Sequence, residues 1–362
     1  MAKIKNIEFK NFRNFQAFKT AFDDRLNIFF GNNGCGKTNI LEGISLVAKG
    51  RGIRNSHISN LINKKGENFL IKNSLDIKDN HFDIEIFSEN TNNKFKKIIK
   101  INDDQSKDSV NFLYQSISFL TFVPEMERLF QSTPSYRRNF LDRLIFSGKN
   151  KYNTLINKYK KLLIERIKIL QNDIVDIDWL NNVEQEICKF GLEIYQLRFS
   201  QISSINKNIN NLKKNHNFPL NIHLLIKDDF VGENTTFEEY LSNLLECRKF
   251  DSKYGKTKIG PHRSDIIAKV NNDFDASLLS TGQQKTVVLM ILLAQCNHLV
   301  NYKNIKPILL FDEIGSHLDE HNRQILLDMI NKFDIQFFLT GTDKNLFSFV
   351  STNAQFYNIS DI

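Results

Sequence analysis

Apolar residues change their spacing twice along this chain, and each change marks a different kind of structure. Residues 1 to about 120 mix short apolar runs with alternation. Arg25-Leu26-Asn27-Ile28-Phe29-Phe30 reads as a strand leading into a glycine-rich turn, and Asn39 to Lys49 reads as the helix that follows. His81-Phe82-Asp83-Ile84-Glu85-Ile86 alternates polar and apolar, the period of a half-buried strand, and Lys94 to Ile101 is its expected hairpin partner. From about residue 136 the spacing becomes helical. Ile156, Tyr159, Leu163, Ile167 and Leu170 lie three or four apart. After a polar break at Asp173 to Asp178, Trp179, Val183, Ile187, Phe190, Ile194, Leu197, Ile202, Ile205, Ile209 and Leu212 continue with one skip. Two helices joined by so short a break should fold back as an antiparallel pair, the second about 50 Å long at 1.5 Å per residue. Residues 220 to 255 are less regular. From Lys256 the first pattern returns, with strands near Ile266, at Ile308 to Phe311 and at Gln336 to Thr340, and helices at Thr281 to about Leu299 and His321 to Lys332.

These elements imply an α/β head, residues 1–120 and 251–362, interrupted by a helical arm at 121–250. At 362 residues the chain is long enough for roughly two domains, each with its own core. Its 41% hydrophobic and 25% charged content is that of an ordinary soluble protein. Cys35, Cys188, Cys247 and Cys296 are scattered, which suggests neither a zinc site nor a disulfide framework. The N-terminus has no apolar leader, and the longest apolar run, Val287 to Ala294, is far short of the ~20 residues of a membrane span. A soluble cytoplasmic protein with no membrane partner is expected.

The chemistry begins at Gly31-Asn32-Asn33-Gly34-Cys35-Gly36-Lys37-Thr38, a complete phosphate loop of the form GxxxxGK[ST]. Its glycines let backbone N–H groups reach phosphate oxygens. Lys37 is placed for the β and γ phosphates, Thr38 for Mg²⁺, and the helix start behind them favours an anion. Asp312 ends the apolar run Ile308 to Phe311, as a Walker B carboxylate does, and is the second expected Mg²⁺ holder. Glu313 follows as candidate general base. Leu279-Ser280-Thr281-Gly282-Gln283-Gln284 looks like the signature motif of an ABC-type ATPase, with Ser280 a good N-cap. In such heads the signature faces the γ-phosphate held by a second head, so two copies arranged head to tail would complete two sites. Gly315 to Asp319 resembles the loop crossing that interface, and Thr340 is a candidate γ-phosphate sensor. Thr38 and Ser280 lie 242 positions apart, far more than a transport ATPase needs.

Further segments carry a resemblance over nearly the whole length. They are Phe9 to Asn14, Gly31 to Asn39, Gly50-Arg51-Gly52-Ile53-Arg54, Pro134 to Asp142 and Gly260-Pro261-His262-Arg263-Ser264-Asp265. In this order they resemble the RecF family of SMC/Rad50-like ABC ATPases; the Arg137-Arg138-Asn139-Phe140-Leu141-Asp142 and Gly260 to Arg263 pieces are the most specific. The resemblance implies a weak Mg²⁺-dependent ATPase that dimerises on ATP, binds single-stranded and gapped duplex DNA, works with a RecR-type mediator and promotes recombinase loading in DNA repair. It adds Arg13, Asn14, Asn32, Asn33, Cys35, Asn39, Gly282, Gln283 and Asp319 to the expected nucleotide contacts. Thr281 departs from the glycine usual there and adds bulk to the signature. Gly260 to Asp265 reads either as a tight turn packing on the head or as part of a DNA or nucleotide contact.

The net charge of +8 is concentrated. Between Arg137 and Leu170 stand Arg137, Arg138, Arg143, Lys149, Lys151, Lys158, Lys160, Lys161, Arg166 and Lys168 against Asp142 and Glu165. This points to a polyanion-facing surface that reads phosphates with little sequence preference, with Arg137, Arg138, Lys158, Lys160 and Lys161 as candidate DNA contacts and Arg51 and Arg54 as further ones. The competing functions are the energising subunit of a membrane transporter and a nucleotide-switched scaffold that hardly hydrolyses.

Overall fold

The computed structural model describes residues 2–78, 80–91, 94–149, 151–216, 220–271, 274–314, 320–350 and 354–360. Its strands are β1 (Ala2–Phe12), β2 (Phe15–Ala21), β3 (Leu26–Phe30), β4 (Leu70–Ile77), β5 (Asn80–Thr91), β6 (Lys94–Ile101), β7 (Phe119–Phe122), β8 (Ile222–Lys227), β9 (Asp265–Val270), β10 (Phe274–Asp275), β11 (Ile308–Phe311), β12 (Phe337–Gly341) and β13 (Ala354–Asn358). Its α-helices are α1 (Lys37–Ser45), α2 (Lys107–Ser116), α3 (Pro134–Gly148), α4 (Tyr152–Leu170), α5 (Ile177–His216), α6 (Phe237–Glu246), α7 (Arg248–Tyr254), α8 (Thr281–Lys303) and α9 (Glu320–Lys332). The chain forms two compact units, one from 1–127 with 288–362 and the other from 128–287.

The first unit holds two sheets. One is parallel, in the order β13-β3-β12-β11-β7. β11 and β12 are buried at every residue, which is why they read as unbroken apolar runs without alternation. The other sheet is antiparallel, in the order β2-β1-β4-β5-β6, and β5 with β6 is the expected hairpin. α1 starts two residues before the expected position and stops at Ser45, short of Lys49. Lys97 explains the early stop: its Nζ donates to the carbonyls of Leu46 and Ala48, 3.0 Å each. Burial pulls that ammonium down to about 8.

The second unit is built on α4 and α5. They run antiparallel, since Arg166 meets Glu184 near one end and the Lys158 ammonium lies over Phe190 further along. α5 has 40 residues, about 60 Å at 1.5 Å each. The buried side of α4 is displaced from the expected stripe. It comprises Tyr152, Leu155, Tyr159, Arg166, Ile169 and Leu170, while Ile156, Leu163 and Ile167 are only half-buried. The stretch expected to be irregular contains β8, α6 and α7; Thr236 and Glu239 form a full capping box at the start of α6. Residues 251–287 pack with the helices here, further along the chain than the expected boundary at 250. Arg137 of α3 clasps Asp265 of β9, and Arg166 of α4 reaches Asp251 of α7.

Candidate functional site

In the first unit the phosphate loop leaves the C-terminal end of β3 and enters α1 with Gly36 as N-cap, at φ 114°. Such a backbone suits glycine, and a Cβ there would lie 2.5 Å from the Phe15 ring and 2.7 Å from Asn14. The close approach leaves a bare backbone cradle at the mouth of a helix, a fit for an anion. Lys37 is almost fully buried; its Nζ donates to the carbonyls of Gly31 (2.6 Å) and Asn32 (2.9 Å), holding the ammonium across the loop. The Asn32 N–H donates to Ser360 Oγ at 2.8 Å. No sequence signal pointed to Ser360, because only the fold brings it to the loop.

Two parallel strands away, β11 delivers Asp312. Thr340, at the end of the intervening β12, donates to Asp312 Oδ1 at 2.7 Å and accepts the Glu313 N–H at 2.8 Å. The Thr38 hydroxyl also favours the charged form of Asp312. Burial raises the Asp312 pKa; the threonine hydroxyls and the Arg54 guanidinium oppose that shift. A hard oxygen set of one carboxylate and one threonine hydroxyl suits Mg²⁺, which takes most of its remaining ligands from water and phosphate. Glu313 has φ 51°, the left-handed region that non-glycine residues rarely enter. Such strain clusters where a side chain must be aimed. Thr340 thus ties its hydroxyl to both residues of the Asp312-Glu313 turn.

A polar chain runs along the other side of the loop. Asn14 Nδ2 donates to Cys35 O (3.0 Å), Asn39 Nδ2 to Asn14 Oδ1 (2.6 Å), and Arg54 Nη1 to Asn39 Oδ1 (2.9 Å). Arg13 makes a bidentate pair with the buried carboxylate of Glu42 on α1, at 2.7 and 2.8 Å. Arg54 is exposed and reaches the phosphate-loop helix through Asn39. Arg51 is exposed on the turn before it. A cavity of about 1000 Å³ opens next to Asn14 and Phe15, with Ile62, Asn63 and Lys64 on its far wall.

In the second unit the signature begins α8. Ser280 Oγ accepts the Gln283 N–H at 3.3 Å, and Gln283 Oε1 accepts the Ser280 N–H at 3.1 Å. Thr281, Gly282 and Gln283 are exposed, with no heavy atom near the place of a Gly282 Cβ. Gly315 to Asp319, including the expected contact Asp319, lie outside the described residues.

The basic surface differs from the sequence expectation at three positions. Arg166 is fully buried, held by Glu184, Asp251 and the Leu244 carbonyl. Arg137 pairs twice with Asp265, at 2.7 and 2.6 Å, and Arg138 donates to Ser264 O at 2.7 Å. Arg166 is the buried one, and a buried guanidinium must be paired; Arg137 and Arg138 are half-buried. Arg143, Lys149, Lys151, Lys158, Lys160, Lys161 and Lys168 are exposed.

A family model described as RecF/RecN/SMC N terminal domain matches residues 3–361. The DNA replication and repair protein RecF of Rickettsia prowazekii is 32% identical over 345 residues, 94% of each chain. That of Rhizobium etli is 30% identical over 364 residues, 99% of this chain and 97% of its own. A solved structure described as the recombination mediator protein RecF-ATPrS in the RecFOR pathway covers 99% of this chain and 97% of its own, at 26% identity and TM-score 0.82. The Smc head domain from Pyrococcus furiosus shares the fold, at 16% identity and TM-score 0.55. Phosphate loop, buried Walker B aspartate, exposed signature and full-length likeness agree: the chain belongs to the RecF family.

Proposed function

We propose that this chain is an ATP-gated DNA-binding protein of recombinational repair and replication. The observation that carries the reading is the Asp312–Thr340 pair, with the Thr38 hydroxyl acting on the same carboxylate and Glu313 next in the chain at φ 51°. Lys37 binds the β and γ phosphates, giving up the Gly31 and Asn32 carbonyls for phosphate oxygens. The loop N–H groups from Gly31 to Thr38 orient the triphosphate, and the cavity beside Asn14 and Phe15 receives the nucleoside end. Asp312 and Thr38 would hold Mg²⁺, which neutralises charge on the β and γ oxygens. Glu313 takes a proton from the attacking water. Slow hydrolysis then acts as a switch.

A second copy supplies Ser280, Gly282 and Gln283 to the γ-phosphate, with Asp319 crossing between the copies. Their exposure at the start of α8 supports this, since helix N–H groups at that end need an acceptor. The closed dimer grips DNA through exposed lysines, among them Lys158, Lys160 and Lys161, and works with a RecR-type mediator to load recombinase at gapped DNA. Among the described residues no helix is long and apolar enough to cross a membrane, and a cytoplasmic setting fits.

The test is nucleotide titration with sedimentation. Lys37→Ala should lose ATP binding. Glu313→Gln should keep binding, lose about 100-fold or more in turnover and sediment as a dimer with ATP. Ser280→Arg should bind ATP as a monomer. An unchanged ATP affinity in Lys37→Ala, or a monomeric Glu313→Gln at saturating ATP, rejects the mechanism.

A further inference from the structure

Exposed aromatic rings gather at one place on the second unit, and the nucleotide site makes no use of them. α7 is a short helix whose ends are fixed. Arg248, its first residue, pairs with Glu184 of α5, and Asp251 is taken by Arg166. Ser252 Oγ donates to Leu170 O at 2.8 Å, at the end of α4. This anchoring leaves the outer side of α7 facing solvent. Phe250 is 40% exposed and Tyr254 53%, with ring centroids 4.4 Å apart. Phe230, 38% exposed, stands by them, because the Lys258 ammonium lies 5.1 Å from both its centroid and that of Phe250. Lys253 sits 5.6 Å over Tyr254. Lys249, Lys253 and Lys258 are exposed, and none is in an ion pair among the described residues.

We propose that Phe230, Phe250 and Tyr254, with Lys249, Lys253 and Lys258, form a stacking platform for single-stranded DNA. Rings that stay exposed on a rigidly anchored helix are held ready for a flat apolar partner. The lysines between them call for an anion at the same spacing. An unpaired polynucleotide strand offers both, a π-face and a phosphate per residue. Duplex DNA offers only phosphates here, because its base faces are already stacked on one another. The ammonium now over each ring is no obstacle. A cation on an exposed ring is held more weakly than a stacked base, and it gains a phosphate when it swings aside. The proposal rests on the reading that the chain binds DNA but is separate from the Lys158, Lys160 and Lys161 surface.

The experiment uses the full chain and a labelled oligo-dT, with a blunt duplex of equal length as second ligand. Anisotropy gives both affinities. The double variant Phe250→Ala with Tyr254→Ala should bind oligo-dT about 10-fold or more weaker and leave duplex affinity within about twofold. Lys253→Gln with Lys258→Gln should lower the single-strand salt slope by about 1.4, at 0.7 per phosphate, and serves as the variant that keeps the rings. The idea is overturned if the ring variant keeps its oligo-dT affinity with an unaltered thermal midpoint, or if both ligands weaken equally. Wild type that binds duplex but not oligo-dT rejects the platform alone; wild type that binds neither rejects the DNA reading as well.

Discussion

At the scale of single residues, Asp312 is the decisive group. Burial works against its charge and raises its pKa, and two threonine hydroxyls oppose that shift without cancelling it. The Walker B aspartate was legible from the apolar run before it. Its support by Thr340 was not, since 28 positions separate the two in sequence. Thr340→Val should leave nucleotide binding without Mg²⁺ near wild type and weaken the Mg²⁺-dependent part, whereas Thr340→Ser should restore it. Loss of the Thr340 hydroxyl from the half-buried Glu313 N–H and the buried Asp312 Oδ1 should also cost about 1–3 kcal/mol in urea unfolding. His262 gives a second test. Its Nε2 faces the Thr257 carbonyl, so that nitrogen carries the hydrogen, and Nδ1 accepts from the Tyr159 hydroxyl at 2.9 Å. Burial lowers its pKa from 6.5 to about 4. The unfolded chain therefore takes a proton below pH 6.5 that the fold refuses. This contribution is whole above pH 6.5 and is lost as pH falls through 4, about 3 kcal/mol in all. Between pH 7 and 5, wild type should lose about 2 kcal/mol more stability than His262→Gln; equal losses would place the imidazole in water.

At the scale of elements, periodicity gave the right helices and partly the wrong faces. Spacing alone could not show that α4 turns Arg166 inward, because a guanidinium is buried only where Glu184 and Asp251 already wait for it. Arg137 and Arg138, half-buried, likewise take partners inside the unit, Asp265 and the Ser264 carbonyl. The Gly260 to Asp265 segment, left open between a packing turn and a contact, forms hydrogen bonds within the second unit. Arg198 reaches the Pro261 carbonyl, and Arg263 Nε donates to Thr257 O at 3.0 Å. Gly260 has φ 129°, and a Cβ would lie 2.2 Å from the Tyr159 hydroxyl and 2.6 Å from that of Tyr240. Gly260→Ala should cost about 3 kcal/mol or more, read as a lower urea midpoint, combining overpacking with backbone strain. A neutral result would mean that the two tyrosines yield.

At the scale of the whole molecule, charge is the quantity that changed meaning. The excess of +8 stands, and on α4 it is carried outward by exposed lysines, since Arg166 there is buried. Reversing Lys158, Lys160 and Lys161 to Glu should weaken duplex binding and lower its salt slope by about 2.7 or more, at 0.9 per phosphate, without altering ATP affinity. A slope that stays put would clear α4 of any part in the DNA contact.

The sequence by itself determined the α/β class, the phosphate loop, the Walker B carboxylate, the signature and the long helical insertion. Each of these is written in local order: a period of two or 3.6, glycines at fixed offsets, or a carboxylate after a buried strand. Only the tertiary structure decided which cations are spent on buried carboxylates, which hydroxyls hold Asp312, and which aromatic rings remain in solvent. Those outcomes depend on desolvation and on partners far away in the chain, and neither is encoded in the neighbourhood of a residue.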